Sequence, residues 1–228
     1  MSAKRRRTPR DARRRSLGQN FLVDRSEISR LLRAVEVQPD QLIVEVGAGS
    51  GALTVPLARA GARVLAVEPD PAWVRHLRNR LTQSRVGDRV EIVGGDFRSI
   101  TFPTEPFRVV SNPPFGQTTA LLQALLDNPT RGPWRADVLV QSDVARKRVA
   151  TPPTSLRSAA WAPWWIFQLG PQMPRTAFRP IPTVDATLLM VHRREPAILP
   201  EWLAPNFRGL LRPGWNPPHP RRRSKGLP

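Results

Sequence analysis

The sequence predicts a doubly wound α/β fold on a mostly parallel sheet, and three observations carry that expectation. Short apolar runs alternate with amphipathic segments along most of the 228 residues, the order that successive βαβ units require. The first run, Leu42-Ile43-Val44-Glu45-Val46, opens directly into Gly47-Ala48-Gly49-Ser50-Gly51 and then a helical segment, a strand, glycine loop and helix in sequence. A later run at 107–111 delivers Asn112-Pro113-Pro114-Phe115 at its C-terminal end, where proline halts the strand.

Taken in order, a first helix is expected from Asp24, whose side chain caps it while Glu27 closes a capping box. Ile28, Leu31, Leu32 and Val35 supply its apolar stripe. The strand at 42–46 and the glycine loop lead to a helix over 53–60. Val64-Leu65-Ala66-Val67 forms the second strand, ended by Glu68. Asp70-Pro71 then caps a helix with Val74, Leu77 and Leu81 facing inward. Strands at 90–93 and 107–111 follow, the former running into Gly95-Asp96 and the latter preceding a helix over 118–126. A fifth strand at 138–140 and a closing antiparallel pair at 164–169 and 187–192 complete a domain expected over 17–195. There is no internal repeat.

The flanks are different in kind. Residues 1–16 carry Lys4, Arg5, Arg6, Arg7, Arg10, Arg13, Arg14 and Arg15 against Asp11, which reads as a disordered basic arm. Residues 196–228 hold eight prolines and the run Arg221-Arg222-Arg223-Ser224-Lys225. They read as a poorly ordered tail with one short helical piece over 201–211.

Lys and Arg total 36 against 18 Asp and Glu, a formal charge of +18. Such a chain repels itself without a polyanion, so nucleic acid is the expected partner class. Only Lys4, Lys147 and Lys225 among those 36 are lysines. Cysteine is absent, which excludes disulfides, thiolate zinc or iron–sulfur ligation and a cysteine nucleophile. His76, His192 and His219 are scattered, so no metal site is expected. The apolar runs fall far short of the roughly 18 residues of a membrane span. A cytoplasmic monomer with no membrane partner is the expectation.

Three motifs bear chemistry. Glycines let a backbone approach a nucleotide-type ligand closely, and an acidic residue about 20 positions on accepts from ribose hydroxyls; Glu68 stands there. The loop reads Gly-x-Gly-x-Gly rather than Gly-x-Gly-x-x-Gly, which favours a ligand without a pyrophosphate, such as S-adenosylmethionine, over another nucleotide or a structural turn. Asp96, at the tip of the third strand, is placed to accept from an adenine amino group, or is simply a turn residue after Gly94-Gly95. Asn112-Pro113-Pro114-Phe115 answers a specific problem: an adenine-type amino nitrogen has its lone pair delocalised into the ring. An Asn oxygen and a backbone carbonyl that accept its two hydrogens aim that lone pair at an electrophilic methyl, and Phe115 offers a stacking face. The alternative is a tight proline turn with a core phenylalanine.

In register, these motifs resemble the rRNA adenine-N6 methyltransferases. The resemblance runs from Leu17-Gly18-Gln19-Asn20-Phe21-Leu22-Val23-Asp24 through the glycine loop, Glu68, Asp96 and Asn112 to Phe178-Arg179-Pro180-Ile181-Pro182-Thr183-Val184-Asp185-Ala186. It implies a Rossmann-like, S-adenosylmethionine-dependent methyltransferase domain with a seven-stranded sheet and a reduced C-terminal extension. It also implies that Asn20 and Leu22 close over the cofactor, that Gly47 contacts its methionine part, Glu68 the ribose and Asp96 the adenine, with Gly49 and Asn112 also among the cofactor-binding residues, and that Asn112 holds the reacting amino group. Phe115 would stack on the target base and Phe178 flank it; otherwise Phe178 is a core aromatic, and Asn20 and Leu22 are the entry to the first helix. The basic arm, Pro113, Phe115 and the tryptophans at 161, 164 and 165 are similar to the branch that acts on 23S rRNA and confers macrolide resistance. A 16S dimethyltransferase and a non-catalytic RNA-binding factor are the alternatives. RNA grip is expected from the arm, the tail, and Arg146, Lys147, Arg148 and Arg157 beside the catalytic face.

Overall fold

A computed structural model describes residues 20–216; the basic arm, the motif residues 17–19 and the basic run at 221–225 lie outside the described residues. Nine strands and seven α-helices are described in chain order. The strands are β1 (Phe21–Leu22), β2 (Leu42–Val46), β3 (Arg63–Glu68), β4 (Val90–Gly94), β5 (Arg108–Ser111), β6 (Arg135–Gln141), β7 (Trp165–Met173), β8 (Phe178–Arg179) and β9 (Ala186–Arg193). The helices are α1 (Arg25–Val35), α2 (Thr54–Arg59), α3 (Pro71–Ser84), α4 (Thr118–Leu126), α5 (Ser142–Val149), α6 (Leu156–Trp161) and α7 (Ala204–Leu211).

Seven strands form one sheet in the order β4-β3-β2-β5-β6-β9-β7. β2 pairs in parallel with both β3 and β5, whereas β9 runs antiparallel to β6 and β7. The chain therefore travels outward from β2 to β4, then returns to build the other half from β5. Between β2 and β5 lies the switch point, where such sheets bind ligands beyond the strand carboxyl ends. Alternate side chains of one strand enter opposite cores, as a two-residue period requires. Ile43 packs with Leu31, Leu57 and Leu77, while Val44 packs with Leu121, Leu125 and Trp164.

Asp24 caps α1 as expected, its Oδ1 accepting from Ser26 N at 2.9 Å and Glu27 N at 3.2 Å. The reciprocal half of the box does not form: Glu27 binds Arg30, and the Asp24 N–H is donated to Ala177 O at 3.3 Å. The other end of α1 rests on β5 and β6. Arg108 donates to Val35 O and Arg135 to Ala34 O, and both guanidiniums close on Asp137. Cations at a helix C-terminus suit its dipole, and Asp137 balances the charge that burial would otherwise make costly.

Two features depart from the expectations. Residues 21–22 and 178–179 pair as a separate antiparallel ladder, Leu22 opposite Phe178. The segment after 195 also packs rather than hanging free. Leu199, Leu203 and Phe207 rest on the second core, Trp164 Nε1 donates to Leu199 O at 2.9 Å, and the Trp164 and Phe207 rings meet edge to face. The short helical piece expected over 201–211 is present as α7, and Leu199, Leu203 and Phe207, each four residues apart, turn one side towards that core.

Candidate active site

At the carboxyl ends of β2, β3 and β5 lies a cavity of about 570 Å3, within the usual range for small-ligand sites. Asn20, Leu22, Gly47, Glu68, Asp96 and Asn112 all line it, so six positions scattered over more than 90 residues converge on one space.

Gly49 does not line it but does fix one of its walls. It sits at φ +52°, and a Cβ there would meet the Phe21 ring at 2.7 Å, so only glycine allows this approach. Its N–H donates to Glu68 Oε2 at 2.8 Å, and Asp70 N donates to Oε1 at 3.0 Å. Both carboxylate oxygens of Glu68 are thereby oriented. Burial raises the Glu68 pKa, against the pull of those two N–H groups.

Asn112 follows β5, whose last residue ties the two halves of the sheet together through Ser111 Oγ to Val46 O, 2.7 Å. Its amide nitrogen donates to Asn20 O at 3.0 Å. Its Oδ1 is enclosed and has no donor among the described residues. A buried acceptor left unspent is rare and costly in a settled core. Pro114 O then accepts from Gln117 N at 2.7 Å, turning the chain into α4.

Asp96 lines the rim in the grip of a neighbour. Arg98 donates to it from its backbone N–H and from Nε at 2.9 Å each, which holds the Asp96 carboxyl down at about 2. Phe115 and Phe178 lie outside the cavity lining and meet at 6.3 Å between ring centroids, tilted by 66°. Phe178 is fully buried and packs against Phe115. The ladder of β8 with β1 explains this: Phe178 is drawn inward opposite Leu22.

Three contributors escaped sequence reasoning. Trp73, in the first turn of α3, lines the cavity and meets the Phe21 ring at 4.7 Å. Its position just after the Asp70 cap was the available signal. Arg80 Nη1 donates to Ser50 O at 2.7 Å, bracing the glycine loop from one helix turn beyond Leu77. Glu45 is a buried cavity-wall carboxyl whose Oε2 has no partner among the described residues; burial pushes its pKa up to about 8, and the Glu68 charge adds to this.

The arginines expected beside this face divide. Arg146 belongs to α5 and pairs with Asp143 at 2.5 Å. Arg148 and Arg157 instead converge on Trp161, just before β7. That strand begins opposite Arg193, at the amino ends of β5 and β6. They sit at the opposite end of the sheet from Asn112. Among the described residues, no cluster of His, Cys, Asp or Glu is arranged to hold a metal ion, and no helix is long and apolar enough to cross a membrane.

Residues 10–214 match the family described as ribosomal RNA adenine dimethylase. An rRNA methyltransferase from Streptomyces thermotolerans is 38% identical over 208 residues, covering 90% of this chain and 67% of the relative. The mycinamicin-resistance protein MyrB of Micromonospora griseorubida is also 38% identical, over 90% of this chain and 64% of its own length. The chain thus spans about two thirds of the length of these relatives. Among solved structures, the 23S rRNA methyltransferase ErmE superposes with a TM-score of 0.73 at 31% identity, over 85% of this chain and 78% of that one. A dimethyladenosine transferase from Plasmodium falciparum gives 0.74 at 20% identity, over 84% and 69%, and shares the fold.

Proposed function

This chain belongs to the ribosomal RNA adenine dimethylase family, and from that premise we propose that it transfers methyl from S-adenosylmethionine to the exocyclic N6 of an adenine in 23S rRNA. The biological consequence is resistance to macrolide, lincosamide and streptogramin B antibiotics, in keeping with the relatives named for 23S methylation and mycinamicin resistance. The observation that carries the reading is Asn112 Oδ1, an enclosed acceptor without a donor on the wall of the switch-point cavity.

The residues present suit S-adenosylmethionine. Glu68 has carboxylate oxygens already oriented for hydroxyl donors, Asp96 is an ionised acceptor at the rim, and Phe21 and Trp73 give the cavity an aromatic wall. Gly47, with Asn20 and Leu22 across the cavity, completes the holding set. When bound, the cofactor supplies an electrophilic methyl on a sulfonium sulfur.

The chain's own part is positioning. Asn112 Oδ1 accepts one hydrogen of the adenine amino group and a backbone carbonyl of the proline turn accepts the other, directing the nitrogen lone pair outward. Phe115 stacks on the flipped base, and Phe178 holds Phe115 from beneath. The attacking amino nitrogen becomes more acidic as it gains the methyl and releases its proton to water, so no strong side-chain base is required.

The test is transfer of labelled methyl to protein-free 23S rRNA and, separately, to unmethylated 30S particles, with primer extension to map the product. Label at one 23S adenine is expected. Label only in 30S particles would move the enzyme to 16S rRNA, and label in neither would leave an RNA-binding protein without this chemistry.

A further inference from the structure

A second cavity, of about 960 Å3, lies between the end of α4 and helices α6 and α7. It sits at the amino ends of the strands: Trp165 Nε1 donates to Leu126 O at 3.0 Å, and Trp134 N to Phe107 O at 3.0 Å. β5 separates this end from Asn112, a span on the order of 15 Å at roughly 3.3 Å per residue.

Its wall carries Trp161, Asp127, Arg157 and Arg208. Arg148 reaches Trp161 from α5: its guanidinium lies over the indole at 5.2 Å, and that of Arg157 at 5.9 Å. Asp127 is the carboxylate of this wall, and it already accepts Trp161 Nε1 at 2.7 Å. Arg212 also lines this wall, so four guanidiniums, counting Arg148 at Trp161, face one carboxylate. Burial and the charge of Arg157 lower the Arg148 pKa, while burial and the charge of Arg208 lower that of Arg157. Arg148 Nη1 is used, donating to Ser155 and Ser158 hydroxyls at 3.2 and 3.1 Å. Arg148 Nε and Arg157 Nη1 are enclosed donors with no acceptor among the described residues.

Enclosed cationic donors without acceptors are costly, and a phosphate offers the oxygens that a guanidinium fork fits best. A base finds less here, because two guanidiniums already cover the Trp161 ring and the one carboxylate is committed. The geometry points to a phosphate site: Arg157 and Arg208 hold a backbone phosphodiester of the RNA segment flanking the target adenine, and Arg148 and Arg212 add to the positive charge around it. This rests on the RNA-methylating reading above and adds to it a contact that positions the strand without reading sequence.

The test compares the wild-type chain with Arg157→Gln and Arg208→Gln. Arg208 is exposed on α7, so its substitution removes charge without opening the core. The Kd for an RNA hairpin carrying the target adenine is measured across a salt series, with S-adenosylmethionine affinity as a control at the far end of the sheet. Each substitution is expected to raise the RNA Kd about tenfold and to reduce the salt slope by about one, with cofactor affinity unchanged. RNA affinity and slope equal to wild type in Arg208→Gln and in folded Arg157→Gln overturn the site while leaving the enzyme reading intact. Wild-type protein that binds no RNA overturns both. A rise in Tm with inorganic phosphate that Arg157→Gln abolishes, without any change in RNA affinity, assigns the cavity to a free anion and also overturns the RNA contact.

Discussion

The two ends of the parallel strands handle polar groups in opposite ways. At the carboxyl ends the groups are carboxylates and an amide, and two of them are seated by backbone, Glu68 by the N–H groups of Gly49 and Asp70 and Asn112 by the carbonyl of Asn20, while Asp96 is held by Arg98. At the amino ends they are guanidiniums, and these fall into two sets. Arg108 and Arg135 close on Asp137 and on the last carbonyls of α1, whereas Arg148 and Arg157 lie over Trp161, and Arg208 and Arg212 line the adjoining cavity whose lining carboxylate is Asp127. A polar group whose partners are all within the chain serves the fold. One whose valence is left open, such as Asn112 Oδ1 or Arg157 Nη1, is available to a ligand.

The largest effect is expected where the chain's own pairing is broken. Asp137→Asn leaves Arg108, which is 1% exposed, without its anion, and should cost about 3–5 kcal/mol of stability in urea unfolding. A loss below about 1 kcal/mol would erase the distinction between the two arginine sets. Next comes the open acceptor: Asn112→Ala should slow methyl transfer by about 10²–10³-fold while calorimetry finds S-adenosylmethionine affinity within about threefold of wild type. Unaltered turnover would show that the unspent oxygen is not what positions the amine.

The last effect is read as a slope with pH and concerns Glu45. Its carboxyl is raised from an ordinary 4.5 to about 8 by burial, so the folded chain holds a proton there that the unfolded chain has released. The Glu45 contribution to stability is therefore fullest below 4.5 and declines as pH rises towards 8, by at most about 1.4 kcal/mol per pH unit. Glu45→Gln should flatten that decline between pH 5 and 8 in ligand-free protein; parallel profiles for the two proteins would refute the assignment.

Much of this architecture was legible because it is written locally. A five-residue apolar run, a glycine loop and an amphipathic helix occupy adjacent positions, and the acidic strand end of Glu68 falls at the spacing a crossover imposes. The β1–β8 ladder had no such signal. Two residues on each strand carry no periodicity, and some 150 positions separate them, so the pairing emerges only once the sheet has brought both segments to one end. That same ladder is why Phe178 is buried beneath Phe115. Arg148 and Arg157 were legible as charge but not as place, because they stand on two different helices joined by the proline-containing loop 150–155, and the cluster forms only where α6 meets β7.

The bond from Asn112 to Asn20 has a consequence for polarity. A carboxamide is nearly symmetric in shape and opposite in character on its two sides, and half a rotation about its terminal bond would exchange an acceptor for a donor. The carbonyl of Asn20 selects one of the two orientations by claiming the nitrogen. The segment leading into β1 thus sets the sign of the group that, in the proposed reaction, meets the adenine: without that carbonyl, the same asparagine would be free to face an amino group with its own N–H and repel it.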